Sequence, residues 1–324
     1  MTAKKPGTAI LFPSYAVFKT CCAKGLSAIY PFTAHKHPDL YGWKYGTRWP
    51  PSYNAFGTMR TLLAIRDALD LNPKIVLEVA GGEGGLAATL AREGCRVTIN
   101  DLRTDLTREA LKEYTNGEQI TLIGGDMFDL PVARLGQFDL VIASEIIEHV
   151  AHPDALLKHL KTFLKPEGSI LLTTPNGSYF RNKLPTHAEI KNFTELEMRQ
   201  FRPDADGHLF LITPHELCRL AEKIGLQVER LSVWGTPLLT GHMGLRIFRT
   251  KYLAWSAYQT ERFTQQLPQR AREKLCAGMT AILSTKDCNS TLIGRPQGVR
   301  ADDPAVGASP AGSRHRVTRP GIHD

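Results

Sequence analysis

The chain has 324 residues, 42% of them hydrophobic, enough to bury the core of one sizeable domain with appendages or of two small ones. No run reaches the roughly 18–20 apolar residues of a membrane-spanning helix, Pro13 breaks the apolar run behind Lys4 and Lys5, and none of the six cysteines forms a CxxC pair. A spanning segment, a secretory leader, a zinc knuckle and a thioredoxin-like site are therefore not expected, and a cytoplasmic protein with reduced thiols is.

The net charge of +8 is uneven. Residues 1–60 hold eight lysines and arginines against one aspartate, and residues 246–274 hold seven against two glutamates. Two basic flanks around a near-neutral middle could meet an anionic partner, or could simply be solvated faces.

Residues 1–55 are rich in aromatics, proline and glycine without a sustained period, and read as an N-terminal extension or lid. A helical pattern starts near Phe56 and continues through Met59, Leu62, Leu63, Ile65, Ala68 and Leu69 until Asn72-Pro73 ends it. Short apolar strands then alternate with helical runs. Strands are expected at Ile75–Val79, Arg96–Asn100, Ile120–Ile123, Phe138–Ala143 and Ser169–Thr173, with helices at Leu86–Arg92, Thr107–Tyr114 and Asp154–Leu164. Pro214–Ile224 and Gln227–Leu231 add one helix and one strand. Such alternation indicates βα units and a parallel sheet covered on both faces. The chain thus divides into a lid at 1–55, an α/β domain at 56–235, a helical appendage at 236–285 and a tail at 286–324. The tail contains nine glycines or prolines and no aromatic residue, a composition that cannot bury a core.

The first strand runs into Glu78-Val79-Ala80-Gly81-Gly82-Glu83-Gly84-Gly85. Glycines directly after a parallel strand let the backbone turn tightly and approach a ligand. A glycine pattern alone would also fit a dinucleotide site. Glu78, inside the strand end, suits a ligand with a positive amino group and a sulfonium better than a pyrophosphate. Asp101 after the second strand and Asp126 after the third fall on the same carboxyl edge of a doubly wound sheet, where ligands bind. Asp101 can accept from ribose hydroxyls and Asp126 from an adenine amino group, with Met127 packing on the ring.

These residues resemble the class I S-adenosylmethionine methyltransferases. The resemblance is carried by Val76–Gly84, Asn100-Asp101, Gly125-Asp126, Phe138–Val150, Leu164–Gly168 and Thr174-Pro175-Asn176, in order over residues 56–232. It implies a Rossmann-like doubly wound, mostly parallel sheet and a cofactor, S-adenosyl-L-methionine, held by Glu78, Ala80, Gly81, Gly82, Gly84, Asp101, Leu102, Asp126, Met127 and Ser144. The family usually has glycine at the place of Ala80; the extra methyl is expected to weaken binding in degree, with Gly82 and Gly84 kept closest to the ligand.

After the fourth strand comes Glu145-Ile146-Ile147-Glu148-His149. If this segment is helical, Glu145, Glu148 and His149 share one face and could hold a divalent cation such as magnesium, while Ile146, Ile147 and Val150 turn away. It resembles the E-x-x-E-H segment of quinone-biosynthesis O-methyltransferases and of small-RNA 3′-end 2′-O-methyltransferases, in which a metal binds the acceptor hydroxyl. The RNA enzymes add a later histidine, and their resemblance implies His208 as a further ligand. Without a metal, His149 could act as the general base with Glu145 as its catalytic neighbour, or Glu145 could touch the cofactor while Glu148 and His149 form a structural pair.

Beyond Asn176, the residues Tyr179, Phe180, Arg181, His187, Phe193, Phe201, Arg202 and His208 could line an acceptor pocket or pack a cap. The stretch 245–275 reads as a basic amphipathic helix for a membrane surface, for its own domain or for a dimer partner. The expected activity is O-methylation of a small-molecule, saccharide or lipid-linked hydroxyl. The alternatives are an RNA 3′-end methyltransferase, for which nucleic acid would be the partner, and a non-catalytic binding module.

Overall fold

The structure, a computed structural model, describes residues 51–112, 117–200, 207–240 and 251–285. The expected lid lies outside the described residues up to position 50, and the tail 286–324 lies entirely outside them.

The expected doubly wound sheet forms. Its strands are β1 Ile75–Val79, β2 Arg96–Asp101, β3 Thr121–Gly124, β4 Phe138–Ser144, β5 Leu164–Pro175, β6 Gln227–Trp234 and β7 Gly278–Ser284, in the spatial order β3-β2-β1-β4-β5-β7-β6. The pairs β1–β2, β1–β4, β2–β3 and β4–β5 are parallel, whereas β7 runs antiparallel to both neighbours. The order reverses at β1 and β4, which opens the crevice where a doubly wound sheet binds its ligand.

The helices are α1 Pro51–Asp70, α2 Gly85–Arg92, α3 Thr104–Leu111, the single turn α4 Val132–Leu135, α5 Pro153–Thr162, α6 Phe193–Arg199, α7 Pro214–Lys223, α8 Pro237–Thr240, α9 Lys251–Thr264 and α10 Gln269–Leu275. One core layer joins Leu77, Val141, Leu157, Leu160, Phe163 and Leu172 on one face of the sheet. The other joins Val76, Leu90, Ile99, Leu140, Ile142 and Leu171 on the opposite face. Adjacent strand residues thus serve alternate layers, as a sheet covered on both faces requires. The α7 start follows from Thr213-Pro214-His215-Glu216. Thr213 Oγ1 accepts from Glu216 N at 3.2 Å, and Glu216 Oε2 accepts from Thr213 N at 2.7 Å. This capping box, with proline at the first helical position, fixes where the preceding chain enters.

Several boundaries differ from the sequence reading: α1 begins at Pro51, inside the expected lid, α3 begins at Thr104 and not at Thr107, β5 begins at Leu164 and not at Ser169, and β6 runs on to Trp234. Residues 278–284, expected in a helical appendage, form β7, and all seven are buried. The run Met279-Thr280-Ala281-Ile282-Leu283 is too short and too evenly apolar for periodicity to decide, and its antiparallel place between β5 and β6 is a tertiary choice. The helical expectation for 245–275 holds over α9 and α10; residues 241–250 are outside the described set. Ala257 and Tyr258 of α9 pack with Met59, Leu63, Trp234 and Leu239, so this helix docks on its own domain, with Trp255 and Phe263 facing outward. No helix among the described residues is long and apolar enough to cross a membrane.

Candidate functional site

Four of the five β1 residues are buried, and the strand delivers its chain to the carboxyl edge at Ala80. Ala80 has φ +52°, a left-handed conformation that a β-carbon disfavours by about 1–2 kcal/mol. Ala80→Gly is therefore expected to stabilise the fold by about 1 kcal/mol; an unchanged or lower urea midpoint would refute the strain. Gly81 is tight for another reason: a β-carbon there would stand 2.7 Å from Ile99 Cγ2 and 3.4 Å from Glu78 Cδ. The glycine loop thus lies down on β2 and on the Glu78 side chain.

An open crevice lies at this edge. Among its lining residues are Ala80, Asp101, Leu102, Asp126, Met127 and Phe128. Asp101 Oδ2 accepts from Gly82 N at 2.9 Å and its Oδ1 from Arg103 N at 2.8 Å, so backbone amides orient the carboxylate. Asp126 Oδ1 accepts from Phe128 N at 2.9 Å. Buried Asn100 ties the two aspartate loops together, its Nδ2 donating to Ile123 O at 3.2 Å and Gly125 O at 3.0 Å.

Five of the ten expected cofactor residues line this crevice: Ala80, Asp101, Leu102, Asp126 and Met127. Glu78 lies under the loop, with its Oε2 buried and lacking a hydrogen-bond partner. Gly81, Gly82, Gly84 and Ser144 are not in the lining. Gly84 was expected close to the ligand. Its missing side chain instead makes room for α3, since a β-carbon would meet Leu111 Cδ2 at 2.8 Å. Ser144 Oγ is 2.7 Å from Thr173 Oγ1 and belongs to the neighbouring strand network. Sequence reading missed Phe128, whose exposed ring flanks Met127 and lies tilted on His159 at 5.5 Å, and also the apolar wall of Ile146, Val150 and Leu156. Phe128 had a signal, an aromatic side chain directly after an aspartate loop at the ligand edge.

Burial pushes the Glu78 carboxyl up to about 8, with the Asp101 charge adding to the rise and a hydrogen bond from Ala87 backbone opposing it. At neutral pH the acid is thus largely protonated until a positive group arrives. The unfolded chain releases this proton near the ordinary value of 4.5, whereas the folded chain keeps it until about 8. Its contribution to stability is complete below the lower value and is lost as pH rises toward the upper one, with a slope of about 1.4 kcal/mol per pH unit. Glu78→Gln is expected to flatten that slope in denaturant melts. A slope identical to that of the wild-type chain would contradict the shift.

The second part of the site sits beyond β4. The expected helix at 145–149 does not form from its start, because Glu145 adopts φ +54° and only Ile147–His149 make a single 3-10 turn. The shared face breaks up accordingly. Glu145 Oε2 pairs with Arg60 Nη1 at 3.0 Å and its Oε1 accepts from Thr173 Oγ1 at 3.1 Å. Glu148 turns inward and is fully buried, its Oε2 accepting from Thr174 Oγ1 at 3.0 Å. Leu209 N donates to Glu148 O at 2.9 Å and brings His208 alongside. The His149 and His208 rings stand edge to face with centroids 4.9 Å apart. Ligand atoms of Glu148, His149 and His208 all lie within 4.8 Å of one another; Glu145, the fourth expected ligand, is not in this group.

Glu148 Oε1 is buried without a hydrogen-bond partner, and His208 Nε2 stands 3.8 Å from it. Burial, then the Glu145 charge, holds the Glu148 carboxyl well above the usual range. Burial also depresses His208, against the Glu145 charge that favours its protonation. A neutral imidazole beside an unsatisfied carboxylate oxygen is a donor set that fits a divalent cation. Arg60 was not foreseen, because its approach to Glu145 depends on how α1 packs over the sheet edge. Of the acceptor-pocket candidates, Phe201 and Arg202 lie outside the described residues. His187 packs on Phe193 and Phe210 at 5.8 and 5.2 Å, while Phe180 is exposed.

Residues 54–231 match the family model described as a methyltransferase domain. A curated relative from Xanthomonas euvesicatoria pv. vesicatoria (strain 85-10), called a ubiquinone biosynthesis O-methyltransferase, is 31% identical over 166 residues, covering 51% of this chain and 67% of that one. Its namesake from Xanthomonas oryzae pv. oryzae (strain PXO99A) is 36% identical over 109 residues, covering 33% of this chain and 46% of that one. The chain therefore spans about half to two thirds of the length of these relatives. A solved structure, magnesium protoporphyrin IX methyltransferase from Synechocystis PCC 6803 with bound SAH, aligns with TM-score 0.45 and 13% identity over 77% of this chain and 92% of that one.

Proposed function

The chain belongs to the methyltransferase-domain family, and from that premise we propose that it transfers the methyl group of S-adenosylmethionine to a hydroxyl of a small-molecule acceptor, with a divalent cation at the acceptor oxygen. The curated relatives named for ubiquinone biosynthesis point to a phenolic hydroxyl as the acceptor. The observation that carries the cation is the unpartnered buried Glu148 Oε1 beside His149 and His208.

S-adenosylmethionine supplies a methyl group on a positively charged sulfur. Asp101 and Asp126 would hold the adenosine end by accepting hydrogen bonds, with Phe128 and Met127 beside it, and Glu78 would offer its buried oxygen to the amino-acid end. The orphaned Glu78 Oε2 fits that ligand, because a buried oxygen without a donor is costly until a cationic group brings one.

A divalent ion would supply Lewis acidity that lowers the pKa of the acceptor hydroxyl. Glu148, His149 and His208 would hold it. Two imidazoles and one carboxylate suit manganese, iron or zinc better than the oxygen-seeking magnesium anticipated from the sequence. The curated relatives favour neither the RNA 3′-end enzyme nor the non-catalytic module. The test is transfer of labelled methyl from S-adenosylmethionine to a panel of phenols, sugars and short RNAs. Labelling of the phenols supports the proposal, and labelling confined to sugars or RNA overturns the acceptor class.

A further inference from the structure

We propose that Arg60 is a positioning residue that withholds Glu145 from the cation site, so that the ion is held by Glu148, His149 and His208 alone and keeps positions open for the acceptor oxygen. This inference rests on the cation reading given above.

In the sequence, Glu145, Glu148 and His149 look like three ligands of one ion. The fold separates them with specific contacts. Both Glu145 oxygens are engaged, one by the Arg60 guanidinium at 3.0 Å and the other by Thr173 Oγ1 at 3.1 Å. Ser144 Oγ, 2.7 Å from Thr173 Oγ1, can supply the proton for that contact, so the chain Ser144–Thr173–Glu145 is consistent in donors and acceptors. The backbone agrees, since Glu145 N donates to Thr173 O at 2.8 Å and Glu145 has φ +54°. A non-glycine residue keeps that conformation only where its surroundings over-determine it.

Arg60 is itself held in place. Its neighbours on α1, Met59 and Leu63, pack with Trp234 and Leu239, and the Phe56 ring lies 4.8 Å from that of Trp234. By contrast, Glu148 Oε1 has no hydrogen-bond partner, and only His208 Nε2 approaches it, at 3.8 Å. One carboxylate is thus engaged elsewhere and the other awaits a ligand.

The chemical consequence concerns coordination number. A second carboxylate would take one of the coordination positions that three protein ligands leave to water or to the acceptor oxygen. Two imidazoles and one carboxylate on one side of the ion leave room for acceptor oxygens. Arg60 also neutralises the Glu145 charge, which otherwise would draw the carboxylate toward the ion.

The experiment titrates the full-length chain and its variants with Mn²⁺, read by calorimetry and by electron paramagnetic resonance of the free ion, with water-proton relaxation reporting open positions on the bound ion. Glu145→Gln is expected to bind Mn²⁺ within about twofold of wild type, since its carboxylate is not a ligand. Arg60→Ala is expected to bind about tenfold tighter, with fewer exchangeable waters, because Glu145 is released to coordinate. The double variant Arg60→Ala/Glu145→Gln should return to wild-type affinity, and Arg60→Lys should stay near it. A tenfold loss in Glu145→Gln, which keeps the side-chain shape, overturns the inference, as does unchanged affinity and hydration in a folded Arg60→Ala. Wild-type chain that binds no Mn²⁺ overturns the cation reading together with this inference. Mn²⁺ binding that Glu148→Gln and His208→Ala abolish, with Arg60→Ala silent, overturns this inference alone.

Discussion

Glu148→Gln is expected to lower kcat by about a hundredfold to a thousandfold, the few kcal/mol that polarisation of an acceptor oxygen by a cation contributes. Glutamine keeps the shape of the buried side chain and one oxygen to accept from Thr174 Oγ1. It removes the charge that a cation needs. Removing a carboxyl that burial holds in its neutral form costs the fold little, so the variant should melt close to wild type. Affinity for S-adenosylmethionine should be unchanged, since the cofactor crevice and the cation cluster use different side chains. Steady-state kinetics checks this, and full kcat in Glu148→Gln would remove the cation from the chemistry. His208→Ala should give a loss of the same order with the same unchanged cofactor affinity.

Asp101→Ala is expected to weaken S-adenosylmethionine binding by at least about a hundredfold, because two hydrogen bonds to a charged acceptor contribute about 1.5–3 kcal/mol each. The carboxylate also accepts from Gly82 N and Arg103 N, so the variant loosens the glycine loop as well as losing its ribose partner. Asp101→Asn, with one oxygen left to accept, should fall between, at about tenfold. Titration calorimetry distinguishes the two. Wild-type affinity in Asp101→Ala would refute its role at the ribose.

The βα alternation was legible because the central strands have short apolar stretches bounded by polar turns, and because both faces of the sheet are covered. The sequence therefore announced β1 to β6 and the carboxyl edge that Glu78, Asp101 and Asp126 share. It did not announce β7, because Gly278–Ser284 carries no alternation and its strand neighbours lie about a hundred or fifty residues away in the chain. The E-x-x-E-H segment was legible as chemistry and misleading as geometry. Three of its expected four ligands converge, yet the positive φ at Glu145 ends the helical register at once, a choice made by Arg60 and Thr173 from other elements. The glycine cluster likewise signalled a tight loop, but spacing could not tell that Gly81 packs on Ile99 and Glu78 and Gly84 on Leu111 of α3. Ala80 is the reverse case, a residue whose departure from glycine was visible and whose consequence, a left-handed backbone, needed coordinates.

The central claim is that Glu148, His149 and His208 hold a cation that activates the acceptor hydroxyl for attack on the methyl donor. Single-turnover methyl transfer to a phenolic acceptor, followed before chelation, after exhaustive chelation and after Mn²⁺ is restored, tests it most directly. The account predicts that turnover collapses with the chelator and recovers with the ion. Undiminished single-turnover rate in the chelated enzyme would contradict it.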